Sequence, residues 1–395
     1  MKKILLASVA GLAATAAVAQ DGPVKMGVVL GFTGPLESLA PTMAAGAELA
    51  IAEVNEAGGI LDGTTVEPVR ADSTCIDAAA ATSATERLIT GDGVAAIMGA
   101  DCSGVTGAML SNVAVPNGIV MISPSATSPG LTTAEDNGLF FRTAPSDARQ
   151  GVIVTEILQE NEIEEIALTY TNNDYGKGLA DAIQANFEEA GGTVTISAAH
   201  EDGKADYSAE VGALAAAGGD LLVVAGYVDQ GGSGIVRAAL DTGAFDSFYF
   251  PDGMVSQALQ DNFGSEIDGS YGANPGTDSP GAQLYQDMAT EGGFDGTQPF
   301  SAESYDAAAL IMLAMQAAGS TDSAEFSQRV MDVANAPGEE ILPGELAKGL
   351  QILADGGDID YVGASAVELI GPGESAGNYR QITFENGELT VVGYR

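Results

Sequence analysis

The chain has 395 residues, with 55 acidic side chains against 14 basic ones and a single histidine, for a formal charge of −41. That length predicts two or three domain-sized units, and a hydrophobic content of 46% is enough core to exclude wholesale disorder. So acidic a chain excludes nucleic acid and anionic membrane surfaces as partners, because both are met by Lys and Arg. The lone His200 leaves little room for a His-based metal site or Ser-His catalysis, and no metal or cofactor is expected.

The first 19 residues, MKKILLASVAGLAATAAVA, read as an export signal. Lys2 and Lys3 form a basic start, Ile4 to Ala17 an apolar stretch, and Ala17-Val18-Ala19 a small-x-small cleavage site before Gln20. The run is too short for a bilayer span, so the expected product is a soluble exported protein cut after Ala19. Cys75 and Cys102 are the only cysteines, and an even count in an exported chain favours a disulfide over two unpaired thiols.

Short β-rich runs then alternate with helical stretches. Residues 24–30 predict a strand, and 42–57 a helix whose stripe is Met43, Ala47, Ala50, Val54 and Ala57, stopped by Gly58-Gly59. Strands at 66–71, 94–98 and 119–122 alternate with helices at 77–90 and from about 104. After Pro145 a second series begins. Helices are predicted at 147–160, 175–190, 207–217 and 234–242, with strands at 166–170, 193–198, 221–225 and 248–250. Helices at about 302–318, 323–334 and 345–353 follow, then a β-rich piece at 381–392 with Asn386-Gly387 as its hairpin turn. Repeated strand-helix-strand order means parallel sheets covered by helices. The reading is α/β: two doubly wound lobes of similar build, joined by several short crossovers.

Catalytic and nucleotide motifs fail on their context. Gly91-x-Gly93-x-x-Ala96 follows a helix and precedes a strand, whereas a dinucleotide fingerprint must follow a strand and open a helix. No phosphate loop, EF-hand, HExxH or GxSxG occurs. What survives is a set of Gly, Ser and Thr-rich segments at strand ends: Gly99–Thr106, Ile122–Pro129 and Phe250-Pro251-Asp252-Gly253. Ligands of open α/β sheets bind outside the carboxyl ends of strands. Hydroxyls and loop N–H groups there suit a carboxylate, although the same residues also serve as ordinary helix caps.

At these residues the chain resembles the type I periplasmic binding proteins of the leucine/isoleucine/valine-binding family, the receptors of ABC importers. The resemblance runs along nearly all of the chain after the signal. It rests on Gly34-Pro35, Glu53-Val54-Asn55 with Gly58-Gly59-Ile60, the Cys75/Cys102 pair and ISPSATSP from Ile122. It also rests on Phe141–Asp147, Asp174–Gly178 and Gly363-Ala364-Ser365. It implies three crossovers and lobes that close on a small solute. The first lobe would comprise residues 20–145 and about 275–354, the second 146–274 and about 355–395. The resemblance further implies a monomer that delivers its solute to an inner-membrane permease and carries out no enzymatic reaction.

The resemblance also assigns roles. Ser103 and Thr127, with main-chain groups of the Ser125-Ala126-Thr127 segment, would bind the α-carboxylate of an amino acid. Asp252 would meet the α-ammonium, and Tyr175 and Tyr227 would close over the ligand. Leu39 and Phe300 fall near further pocket positions. Asp252 stands where amino-acid receptors of the family often carry Glu, one methylene longer, so the pocket is resized. A branched-chain amino acid is the expected solute; an aromatic acid, an amide or a urea derivative is the alternative. From other classes, an exported sensory subunit or an enzyme on the same frame are the rivals. Arg142 and His200 are read as structural, with His200 exposed.

Overall fold

The computed structural model describes residues 22–395, so the export signal and its cleavage site lie outside the described residues. Two seven-stranded sheets organise the chain. The first takes β1 (Val24–Leu30), β2 (Val66–Asp72), β3 (Ala96–Gly99), β4 (Val120–Ser123) and β5 (Phe140–Pro145). The second takes β6 (Glu165–Thr171), β7 (Thr193–His200), β8 (Leu221–Ala225), β9 (Phe248–Phe250) and β10 (Tyr271–Pro275). Within each of these runs the paired strands are parallel. β1, β3, β4 and β8 are nearly continuous apolar runs, as strands covered on both faces must be.

The remaining strands decide which lobe owns the C-terminal part. β11 (Glu339–Ile341) and β12 (Ile359–Tyr361) pair with each other. β13 (Leu369–Ile370) and β14 (Glu374–Ser375) extend the first sheet beyond β5, whereas β15 (Tyr379–Glu385) and β16 (Glu388–Tyr394) complete the second. The chain therefore passes between the sheets after β5, after β10 and after β14. The strands at 369–375, which the resemblance implied for the second lobe, belong to the first sheet. They are two residues long, too short to show a period of two.

The β15–β16 hairpin forms at the expected turn, with Glu385 opposite Glu388. Asn386 and Gly387 both take positive φ, as the tight two-residue turn requires. The helix Ser301–Ala318 lies against Ala40–Glu56 and against β3, β4 and β5, and buries nearly every side chain from Ser301 to Met315. It carries Phe300 at its start.

The lobes touch across the cleft. The N–H of Asp229, from the second lobe, donates to the carbonyl of Pro35 at 3.2 Å, and the N–H of Ser38 donates to Asp229 Oδ2 at 2.8 Å. His200 is a correction. It is 1% exposed rather than exposed, because Tyr207 packs edge-on to it and the backbone at Gly226 and Gly231 closes over it. Its Nδ1 meets Thr169 Oγ1 at 2.9 Å, and burial pulls its pKa down to about 4, so the ring is neutral.

Candidate functional site

Strand ends on both sheets supply the site. From the first lobe, Leu36 follows β1, Asp101 and Ser103 follow β3, and Ser125 follows β4. From the second, Tyr175 follows β6, Tyr227 follows β8, and Asp252 and Gly253 follow β9. With Phe300 these residues border a cavity with about 240 Å³ of space between atoms, its open mouth included. This is where ligands of open parallel sheets bind.

The first-lobe wall is held by its own hydrogen bonds. Asp101 Oδ2 accepts from the N–H of Gly31 at 2.8 Å, and its Oδ1 accepts from Ser73 Oγ and the N–H of Cys102. Burial raises its pKa despite these donors. The Cys75–Cys102 disulfide, with Cα atoms 5.1 Å apart, joins the same two loops. Gly99 takes φ +130° and lies so close to β1 that a Cβ would stand 2.1 Å from the carbonyl oxygen of Val29, so no other residue fits there. Arg142 underpins the next loop. Its Nη1 donates to the carbonyls of Ala126 and Ser128, both at 2.9 Å, and its Nη2 forms an ion pair with Glu374 at 2.6 Å.

Ser103 and Ser125 are in different states. Ser103 Oγ accepts from the N–H of Ser128 at 3.0 Å, which leaves its own proton to give. Ser125 Oγ already donates to the carbonyl of Asp101 at 3.0 Å. Ser123 Oγ accepts from the N–H of Ala126 at 2.9 Å, so that amide is engaged as well. Thr127 is fully buried, and its Oγ1 has no hydrogen-bond partner of good geometry.

The second-lobe wall is acidic and aromatic. Asp252 Oδ1 accepts from Tyr175 Oη at 2.7 Å and from the N–H of Gly253 at 2.8 Å, while Oδ2 is unpartnered. Burial raises the Asp252 pKa. The phenol of Tyr175 is pushed well above its usual range by burial and by Asp252, so it stays a donor. Tyr175 stacks on Tyr227 with ring centroids 5.1 Å apart. Gly253 permits this packing: a Cβ would lie 2.6 Å from the carbonyl of Gly226 and 2.7 Å from Tyr175 Oη.

The structure thus brings Ser103, Ser125, Tyr175, Tyr227, Asp252 and Phe300 to one cavity. Thr127 and Ala126 are wholly buried and do not border it. Leu39 does not border it: that residue is packed in the core at the start of its helix, and Leu36, one turn earlier, faces the cavity instead. Two residues were missed. Asp147 and Gln150, one turn apart on the helix Asp147–Glu160, are wholly buried behind Asp252. Gln150 is turned toward Asp252 outside ideal hydrogen-bond geometry, and both carboxylate oxygens of Asp147 lack a well-placed partner. Burial raises the Asp147 pKa well above the usual carboxylate range, with the nearby Asp252 adding to it. In the sequence Asp147 after Ser146 reads as an ordinary helix start, which hides this role.

The family description "Periplasmic binding protein" matches residues 23–338. A curated relative, Leu/Ile/Val-binding protein homolog 1 of Brucella melitensis, is 31% identical over 342 residues, covering 84% of this chain and 89% of that protein. Among solved structures, the substrate-binding protein LivJ of a branched-chain amino acid transporter from Streptococcus pneumoniae, in complex with isoleucine, superposes with a TM-score of 0.76. The two share 23% identity, over 94% of this chain and 99% of that one. A solute-binding protein of an ABC transporter from R. palustris, in complex with benzoate, also gives 0.76, at 17% identity over 94% and 96%. The two lobes and the profile match agree, and the chain belongs to the type I periplasmic binding proteins of the Leu/Ile/Val-binding family.

Proposed function

We propose that this protein is the exported, non-enzymatic receptor of an ABC importer and that its solute is a small amino acid of the branched-chain type. The observation that carries the reading is the polarity of the cavity. The carboxylate of Asp252 borders it from one lobe, and the uncommitted hydroxyl of Ser103 borders it from the other. A zwitterion with an aliphatic side chain complements this arrangement: the ammonium pairs with Asp252, the carboxylate takes the first-lobe donors, and the side chain lies among Leu36, Phe300 and the tyrosines. The name of the Brucella relative and the isoleucine of the pneumococcal protein support the same solute class. Tyr175, Tyr227 and Asp252 act from the second lobe, so their contacts with the ligand favour lobe closure, and the closed monomer docks on the permease. On this reading residues 1–19 direct export and are cut off after Ala19.

Titration calorimetry with leucine, isoleucine, valine and benzoate tests this. The expected result is tight binding of at least one of the three amino acids and none of benzoate. A ligand at 100 times its Kd stabilises the fold by about 2.7 kcal/mol, which a thermal melt reads independently. Binding of benzoate with no response to any amino acid overturns the ammonium assignment and identifies an aromatic-acid receptor.

A further inference from the structure

Phe300 borders two cavities. On its far side, away from the interlobe cleft, lies a second one at the hinge, with about 430 Å³ of space between atoms, its open mouth included. Both lobes build it. Asn274 and Arg380 come from β10 and β15, Glu303 and Ser365 come from the first lobe, and the crossover at Gly276-Thr277 forms part of the wall.

Two opposite charges line this cavity without pairing. Arg380 donates from Nη1 to the carbonyl of Thr297 at 3.1 Å, and from Nε and Nη2 to Asn274 Oδ1 at 3.4 and 3.3 Å. Its partners are all neutral, and N–H donors remain on both Nη atoms. Most basic side chains among the described residues, such as Arg70, Arg142, Arg237 and Arg395, sit in ion pairs, as expected in so acidic a chain. Arg380 does not. Glu303, in the first turn of the helix Ser301–Ala318, is 3% exposed, and its carboxylate is met by its own backbone N–H and forms no ion pair among the described residues. Burial raises its pKa to about 7, with Asp306 on the same helix adding to the shift and Arg380 opposing it.

Glu303 is buried and Arg380 half-buried, neither has a counter-charge at ion-pair distance, and each faces the same space. An inorganic anion satisfies Arg380 alone, and a metal cation satisfies Glu303 alone. A molecule with both charges satisfies both, its carboxylate on the guanidinium fork and its ammonium on the acid. We propose that the hinge cavity is a second solute site, for a small zwitterion such as glycine, held by Arg380 through its carboxylate and by Glu303 through its ammonium. Its occupant bridges the lobes on the hinge side, so its binding is linked to the angle between them, and through that angle to the interlobe site.

Equilibrium dialysis of the full chain against radiolabelled glycine tests the proposal. Asp252→Asn impairs the interlobe site and is expected to leave hinge binding in place. Arg380→Gln and Glu303→Gln are each expected to weaken it at least tenfold, and Arg380→Lys, which keeps the charge and loses the fork, by less. Glycine binding lost in Asp252→Asn yet unchanged in Arg380→Gln and Glu303→Gln assigns all binding to the interlobe site and overturns the proposal. Should the hinge variants not fold, crystals of Asp252→Asn soaked in glycine decide: density between Arg380 and Glu303 supports the site, and its absence at millimolar glycine removes it. Failure of the amino-acid reading of the cleft changes only the Asp252-dependent binding and leaves the hinge result to stand by itself.

Discussion

The two walls of the cleft are built on opposite plans. In the first lobe, loops after β3 and β4 use their hydroxyls and amides largely on one another, the disulfide joins Cys75 to Cys102, and Arg142 holds the carbonyls of Ala126 and Ser128. In the second lobe, Asp252 Oδ2, both carboxylate oxygens of Asp147 and the side-chain amide of Gln150 lack a hydrogen-bond partner of good geometry. A wall whose bonds are already made is preorganised and loses little freedom on binding. A wall with buried polar atoms unpaired gains most when a ligand supplies the missing partner. On the proposed reading, the drive for closure lies in the second lobe and the template for ligand orientation in the first.

Removing the charge of the second-lobe wall is the strongest way to break this contrast. Asp252→Asn leaves the ammonium of an amino acid without its counter-charge, and loss of one partner of a buried pair costs about 2–5 kcal/mol. Affinity should fall by about 30-fold or more, since about 1.4 kcal/mol is tenfold. Calorimetry showing a change within about twofold would refute the ammonium assignment. A pH series sharpens the test. Burial raises the Asp252 pKa, so the proton is held at higher pH than in an ordinary Asp. Ammonium binding needs the ionised form, so affinity falls as pH drops through that raised value. Ligand-free stability follows the opposite course: the folded state binds this proton more readily than the unfolded one, so the contribution of Asp252 grows as pH falls and is lost as it rises. Asp252→Asn should flatten the affinity profile and remove only its own share of the stability profile, since burial also raises Asp101, Asp147 and Glu303.

The first-lobe wall has a different weak point. Cys75 and Cys102 are 27 residues apart, and on the chain-entropy account closing that loop contributes about 3.5 kcal/mol. Cys75→Ser with Cys102→Ser should lower the urea midpoint accordingly while affinity changes far less, because Asp101 still bonds the N–H groups of Gly31 and Cys102. Affinity falling in step with stability would mean that the disulfide, not the Asp101 network, shapes the wall.

Legibility in the sequence divides along the same line. The βαβ order, the disulfide and the hydroxyl-rich loops were readable, because periodicity, cysteine count and glycine-serine strand ends are local signals. The strands at 369–375, the burial of His200 and the choice of Leu36 over Leu39 were not, because each depends on what packs from elsewhere in the chain. Asp147 and Gln150 show this most clearly. Their spacing of three, after a Ser cap, is what any helix start presents. Only the fold puts them behind Asp252.

The smallest expected effects separate two serines of one wall. Ser103 Oγ accepts from Ser128 and still has its proton to give, so it can donate to a carboxylate. Losing a donor to a charged group costs about 1.5–3 kcal/mol, so Ser103→Ala should weaken an amino acid by about tenfold to a hundredfold. Ser125 has committed its proton to the carbonyl of Asp101, and its side chain serves the loop rather than the ligand. Ser125→Ala removes one neutral hydrogen bond, with a net contribution of about 0.5–1.5 kcal/mol. That loss should appear mainly in the unfolding midpoint and should change affinity by less than about threefold. Both variants in the same calorimetric series give the comparison directly. If Ser125→Ala proves as damaging to binding as Ser103→Ala while the melt is unmoved, the Ser125 hydroxyl leaves Asp101 for the ligand on binding, and the first-lobe wall is less preorganised than its hydrogen bonds indicate.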